Sequence, residues 1–296
     1  MKANNMLGVI NIRKEKGYTS HDVVAIIRKI TGAKTGHTGT LDPNAEGVLP
    51  ICLGRATKLA DYIAAEDKNY IAELVLGITT TTADIWGETL TTHPPGRVSE
   101  TDFSKIKAVA ESFIGEILQT PPMYSAIKIG GKKLYELARK GQTIERPPRK
   151  VVIHSLNATQ SEGKILLDVL CSKGTYIRSL CADIGDALGC GAAMGGLIRT
   201  RSGAFSIDDS VTLDEVRMLA ENGKLAEIVL PVEKVLPYPA YAVKQEELSR
   251  VLNGGKVDCE EAPALCWLYS PPPESKLIGL YAREGDTLRL RVMLWS

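Results

Sequence analysis

The chain has 296 residues, 44% hydrophobic and 24% charged, which is enough for one large core plus a small appended unit and points away from a disordered protein. Its 36 basic and 35 acidic side chains nearly cancel, so overall charge does not by itself announce a nucleic-acid partner. The longest apolar runs, such as Ile165-Leu166-Leu167, are soon broken by charge, and Met1-Lys2-Ala3-Asn4-Asn5 lacks the apolar core of a signal peptide, so no membrane segment is expected and the cytoplasm is the default location.

Leu7-Gly8-Val9-Ile10-Asn11-Ile12 reads as a buried strand, and Thr19-Ser20-His21-Asp22 as a capping box opening a helix with Val23, Ile26, Ile27 and Ile30 on one face. Tyr70 to Gly77 is a second strand. Phe103, Ile106, Ala110 and Phe113 recur at helical spacing after a cap at Ser99 or Thr101. Strands Val151 to Ala158 and Lys164 to Cys171 follow, then a helix from Thr175 towards Leu188. The order is neither repetitive nor strictly alternating, so the fold class is mixed α/β (α+β), a large mixed sheet flanked by helices. Prolines from Leu230-Pro231 to Pro237-Tyr238-Pro239 mark a boundary, giving units 1–237 and 238–296. The second holds a short helix, Glu246 to Leu252, and a final strand, Leu288 to Met293, and its seven basic and eight acidic residues over 239–296 leave a net −1.

Six cysteines occur with no Cys-x-x-Cys pair and no histidine at zinc-ligand spacing, and His21, His93 and His154 are scattered. No metal is expected, and Cys171 and Cys181 read as small buried hydrophobes of a reduced protein. From Lys128 to Lys150 the chain carries eight basic and two acidic residues, among them Lys132, Lys133 and Arg149. Such a run is usually a solvated face.

Residues Gly36-His37-Thr38-Gly39-Thr40-Leu41-Asp42-Pro43, continued as Asn44-Ala45-Glu46-Gly47-Val48-Leu49-Pro50, set one carboxylate in a tight turn framed by glycines, with a histidine five residues ahead. Asp-Pro alone is common turn chemistry. The wider pattern speaks for more. Lys14 with Gly17-Tyr18-Thr19-Ser20-His21-Asp22, Gly54-Arg55-Ala56-Thr57-Lys58, Lys68-Asn69-Tyr70, Asp84-Ile85-Trp86-Gly87, Pro121-Pro122-Met123-Tyr124-Ser125-Ala126, Cys171-Ser172-Lys173-Gly174-Thr175-Tyr176-Ile177-Arg178 and Leu197-Ile198-Arg199-Thr200 follow in order. Together with the Asp42 block, they resemble the bacterial tRNA pseudouridine synthases of the TruB type across nearly the whole chain. Glu15 stands where that family usually has proline.

The resemblance implies isomerisation of the uridine at tRNA position 55, in the T-loop, by a cofactor-free enzyme that needs no obligate protein partner. It also implies a catalytic unit over 1–237, a T-arm-gripping insertion near 124–150, and a small C-terminal PUA-like β-barrel over 238–296. The reaction breaks the bond from uracil nitrogen 1 to ribose, turns the base and rejoins it through carbon 5. Asp42 matches the family carboxylate, which can attack the ribose as in retaining glycosidases or add to carbon 6 of the ring. Both routes stay open.

Arg178 matches the family arginine that would keep Asp42 ionised; on residue type alone, a surface ion pair is the plain alternative. Tyr70, which pattern alone would place in the core, matches the tyrosine that stacks on the base and can take the carbon-5 proton. The implied RNA contacts are His37, filling the space of an extruded base, Asp84 at a neighbouring nucleotide or orienting a loop, Leu197 near the pocket, and Lys14, Lys58 and Lys173 at phosphates or loops. On the same footing the basic run, with Lys132, Lys133 and Arg149, becomes a phosphate-binding insertion.

A monomer is expected because no apolar helix face or heptad run is left over. A guide-RNA-dependent synthase subunit and an RNA-folding binder with isomerisation secondary are the competing readings. A glycoside hydrolase lacks a second carboxylate in a matching motif.

Overall fold

A computed structural model describes residues 6–93, 102–125, 127–259, 261 and 263–295. The first half of the chain supplies strands β1 (Gly8–Lys14), β2 (Thr35–His37), β3 (Glu46–Leu53) and β4 (Lys68–Leu76), the hairpin β5 (Ile78–Thr80) and β6 (Thr89–Thr92), β7 (Gly115–Gln119), and the hairpin β8 (Lys128–Ile129) and β9 (Lys132–Lys133). Then come β10 (Arg149–Ser161), β11 (Lys164–Cys171), β12 (Ala192–Ser202) and β13 (Phe205–Ser206). A nine-stranded sheet runs β1-β3-β12-β4-β11-β10-β7, with β2 on β3 and β13 on β12. Only the short β3–β12 pairing is parallel, so the sheet is mixed as expected.

Helix Ser20–Thr31 begins as its sequence dictates. The Thr19 hydroxyl accepts from the Asp22 amide, the Asp22 carboxylate accepts from the Thr19 amide, and Gly32 ends the helix at φ 65°. Val23 and Ile27 are fully buried, each worth roughly 1.5–3 kcal/mol of removed apolar surface, while Ile26 and Ile30 pack at the margin. Helix Phe103–Glu111 starts from Asp102, whose carboxylate accepts from the Ser104 amide; the expected caps Ser99 and Thr101 lie outside the described residues. The third expected helix spans Ile177–Leu188, two residues shorter at its start than anticipated.

Strands β14 (Ala240–Ala242), β15 (Val257–Asp258), β16 (Leu265–Tyr269), β17 (Leu277–Glu284) and β18 (Thr287–Met293) form a five-stranded sheet, with the helix Leu248–Leu252 beside them. This small β unit shares a core with the large sheet. Trp267, Leu280, Val292 and Leu294 pack with Val9, Val48 and Cys52 on the face of β1 and β3 turned away from the main core, and with Leu59 in the helical turn Gly54–Leu59 after β3. No helix among the described residues is long and apolar enough to cross a membrane.

Candidate active site

Asp42 lies in the loop between β2 and β3, and three elements hold that loop. The Ser20 hydroxyl, at the start of the first helix, donates to the Leu41 carbonyl and accepts from its amide at 3.0 and 2.9 Å. Lys14, fully buried at the end of β1, sends its Nζ to the carbonyls of Ala45 (2.6 Å), Glu15 (3.0 Å) and Pro43 (3.2 Å). Arg199 in β12 donates to the carbonyls of Val48 (2.7 Å) and Gly39 (3.1 Å). Gly47 is required where β3 meets β12: its φ is +103°, and a Cβ there would lie 2.2 Å from the Arg199 carbonyl oxygen.

Arg178 enters from the second position of helix Ile177–Leu188. The start of that helix is fixed to the sheet by Gln119 of β7, whose side-chain amide accepts from the Tyr176 amide at 2.7 Å and donates to its carbonyl at 3.0 Å. The Arg178 side chain is 5% exposed, with Nε 3.0 Å from Asp42 Oδ2 and Nη2 3.4 Å from Oδ1. Its other donors meet the carbonyls of Tyr124 at 2.7 Å and Thr82 at 3.1 Å, and Nη1 lies 3.9 Å from Asp84 Oδ2. Asp84 is itself set by the Thr82 hydroxyl at 2.6 Å and the Trp86 amide at 3.1 Å. Arg178 therefore reads as a buried organiser rather than a surface pair, joining Asp42, Asp84 and the Tyr124 segment.

The Asp42 side chain keeps 40% of its surface open to the cleft. Burial by its surroundings pushes the carboxyl up from the ordinary aspartate range, Arg178 is the strongest opposing influence, and Asp84 adds to the rise. Beside it is a cavity of about 290 Å³ lined by Asp42, Tyr70, Lys173, Arg178, Leu197 and Arg199. A second, of about 450 Å³, shares Asp42 and Arg178 and adds His21, Asp84, Trp86, Lys133 and Tyr135. Tyr70 is 9% exposed, and its burial raises the phenol against the opposing charge of Arg199. One carboxylate, a guanidinium fork, a phenol and an apolar wall thus face one concavity, a set suited to nucleophilic attack with proton transfer.

The structure brings Asp42, Tyr70, Arg178, Leu197 and Lys173 to the first cavity and Asp84 and Lys133 to the second. Lys132 and Arg149 are exposed outside both. Lys133 and Arg139 each place their charge 5.4 Å from the Tyr135 ring centroid, bracketing an aromatic at the rim. His37 lines neither cavity. It packs against His21 with ring centroids 5.4 Å apart, and burial, with His21 and Arg199 nearby, lowers it to about 4.

Of the lysines expected at phosphates or loops, Lys14 takes the loop role, and Lys58 has a carbonyl partner in the small β unit. Lys14 is enclosed, spends its ammonium on three carbonyls and is lowered by burial to about 8, so it is a clamp behind the loop and cannot meet a phosphate. Lys58 is exposed but donates to the Met293 carbonyl at 3.0 Å, tying the small β unit to the large one away from the cleft.

Sequence reasoning passed over Arg199, Lys68 and Tyr176 as site residues, although all three lie within the quoted motifs. Lys68 is buried, donates to the Ala64 and Glu66 carbonyls, and is lowered to about 8 by burial and then by Arg199. Tyr176, raised by burial, also lines the first cavity. The available signal was the cationic residue placed two positions from a pocket residue on a strand, as Lys68 stands to Tyr70 and Arg199 to Leu197.

The chain is similar to known proteins along most of its length. Residues 28–177 match the family described as TruB family pseudouridylate synthase (N terminal domain), and residues 178–237 match the tRNA pseudouridylate synthase B C-terminal domain; the join falls inside the helix carrying Arg178. A tRNA pseudouridine synthase B of Alkaliphilus oremlandii (strain OhILAs) is 50% identical over 85% of this chain and 83% of its own. One of Geobacillus thermodenitrificans (strain NG80-2) is 41% identical over 97% and 99%. Among solved structures, the archaeal box H/ACA sRNP Nop10-Cbf5 complex contains a chain that superposes with a TM-score of 0.72 at 26% identity, covering 99% of this chain and 88% of that one. Carried by its motifs, its sheet and its cleft, this chain belongs to the TruB family of pseudouridylate synthases.

Proposed function

We propose that this chain converts uridine 55 in the T-loop of tRNA to pseudouridine, with Asp42 acting on a uridine turned out of its stack into the cavity between Tyr70 and Arg178. The observation that carries the reading is the Asp42–Arg178 fork, whose carboxylate opens into a cavity walled by Tyr70 and Leu197.

In this account the bond from nitrogen 1 to ribose carbon 1′ breaks and its electron pair stays with the uracil. The ring turns and carbon 5 bonds to carbon 1′. The carbon-5 proton then leaves to a base, its electron pair restores the ring double bond, and nitrogen 1 gains a proton, so overall composition is unchanged. Asp42 serves either by covalent attack on carbon 1′, from which carbon 5 then displaces it, or by addition to carbon 6, from which it is eliminated once the ring has turned. Arg178 holds it ionised and aimed, and Tyr70 stacks on the base and takes the carbon-5 proton.

The second cavity, with Asp84 and the Trp86 and Tyr135 rings, takes the neighbouring nucleotide. Lys132, Lys133, Arg149 and Lys173 neutralise phosphates of the T-arm, and His37 must leave its place against His21 to stack on RNA. Residues 1–237 are read as the catalytic domain and 238–296 as a PUA-like RNA-binding unit. In the latter, seven basic against eight acidic residues over 239–296 leave little net charge, so any hold on RNA is weakly electrostatic. The enzyme is read as a cytoplasmic monomer that acts without cofactor, guide RNA or protein partner.

The test is mass-spectrometric mapping of base isomerisation on an unmodified tRNA transcript incubated with the purified chain alone. A single new pseudouridine at position 55 is expected. Activity appearing only with added guide RNA and protein would favour the guided reading, and tight binding without isomerisation would favour an RNA-folding binder.

A further inference from the structure

Arg199 is 2% exposed, and among the described residues no carboxylate lies within ion-pair distance of it. A buried guanidinium without an anion costs folding energy, and two backbone carbonyls offset only part of that cost. Its position shows what else it serves. On β12 it stands directly across from Tyr70 of β4 in the antiparallel register, so both side chains share one face of the sheet and one cavity wall. The same guanidinium spans the Asp42 loop from behind, reaching Gly39 before the carboxylate and Val48 after it. A Cβ on Gly39 would sit 3.6 Å from Nη1, in ordinary van der Waals contact with this side chain.

Resting on the function proposed above, we infer that Arg199 is a positioning residue of the reaction: one guanidinium holds the Asp42 loop at its Gly39 end and orients and polarises the Tyr70 hydroxyl for taking the carbon-5 proton. Tyr70 can accept that proton only when its oxygen has given up its own. The groups bearing on that oxygen are Arg199 from β12, Cys171 from β11 and Asp42 from its loop. Asp42 and Cys171 oppose ionisation of the phenol, and Arg199 leads the influences that favour it. Lys68 and Lys14 also feel the charge of the same guanidinium, and burial together with Arg199 lowers each of them to about 8.

The experiment uses the full chain and a tRNA transcript, with single-turnover rates followed from about pH 6 to about pH 10 for wild type, R199Q, R199K, Y70F and the Y70F/R199Q double variant. Wild type is read first; failure to isomerise the transcript would overturn the proposed function rather than this inference. R199Q is expected to lose about 30-fold or more in kcat, with tRNA affinity held within about threefold and the rising limb of its pH profile moved up by about one unit. R199K is expected to recover part of both, because lysine keeps the charge without the fork. The double variant is expected to match the slower single variant within about threefold.

An unmoved limb, losses that multiply in the double variant, or a rise in KM with kcat intact would each overturn the inference. Should R199Q melt below the assay temperature, R199K is read in its place: an upward limb supports the role and an unmoved one removes it.

Discussion

Arg178 meets Asp42 along one edge of its guanidinium, Nε to Oδ2 at 3.0 Å and Nη2 to Oδ1 at 3.4 Å, across 136 positions of chain. The remaining N–H groups are not spare, because they hold the Tyr124 and Thr82 carbonyls and approach Asp84. Lysine has the charge but cannot make these bonds at once. R178K is therefore expected to lower kcat by about 100-fold, roughly 2.7 kcal/mol of barrier, with tRNA affinity changed by less than about tenfold. Single-turnover rates set beside filter binding separate the two.

Burial raises the Asp42 carboxyl while Arg178 pulls it down. The reactive form is the anion, so activity is expected to fail on the acid side at a pH above the ordinary aspartate value, and to fail as pH falls. The folded state holds the Asp42 proton more tightly than the unfolded chain does. Ionised Asp42 accordingly subtracts from stability, and that loss sets in as pH rises from the unfolded value through the raised folded one. Weakening the pair with R178K should move the activity limb further up, as read from rates between about pH 4 and about pH 8.

His37 carries the opposite sign. Its folded value of about 4 lies below the ordinary 6.5, so the unfolded chain takes up a proton that the fold refuses. Stability tied to the neutral ring is complete above 6.5 and is lost as pH falls towards 4. Thermal melts are expected to show wild type losing about 1 kcal/mol more than H37N across that window.

Lys14 gives a structural test behind the loop. Replacing it with alanine leaves the carbonyls of Glu15, Pro43 and Ala45 without their donor. The expected cost is about 2–3 kcal/mol of stability, together with a fall in kcat larger than any change in tRNA affinity, because the turn that aims Asp42 loosens. Urea unfolding and a kinetic split check both.

Much of this was legible in the chain itself, and the misses share a cause. The Thr19–Asp22 capping box declared its helix because its bonds are local, and β4, β10 and β11 declared themselves by apolar alternation or runs. Strands β3 and β12 did not. Both lie inside the sheet, are largely buried on both faces and are interrupted by Gly47, Pro50, Gly195 and Gly196, so neither shows a clean two-residue period. Asp42 and Arg178 were visible through ordered motifs. Lys68 and Arg199 were passed over because a basic residue normally faces water, and only the tertiary structure shows carbonyls gathered around each.

The most direct test of the central claim is D42N, which keeps the shape of the side chain and removes its anion. Pseudouridine at tRNA position 55, measured by mass spectrometry, is predicted to vanish while tRNA affinity stays within about tenfold of wild type, about 1.4 kcal/mol. Isomerisation persisting at more than about a tenth of the wild-type rate would contradict the assignment of Asp42 as the reacting group.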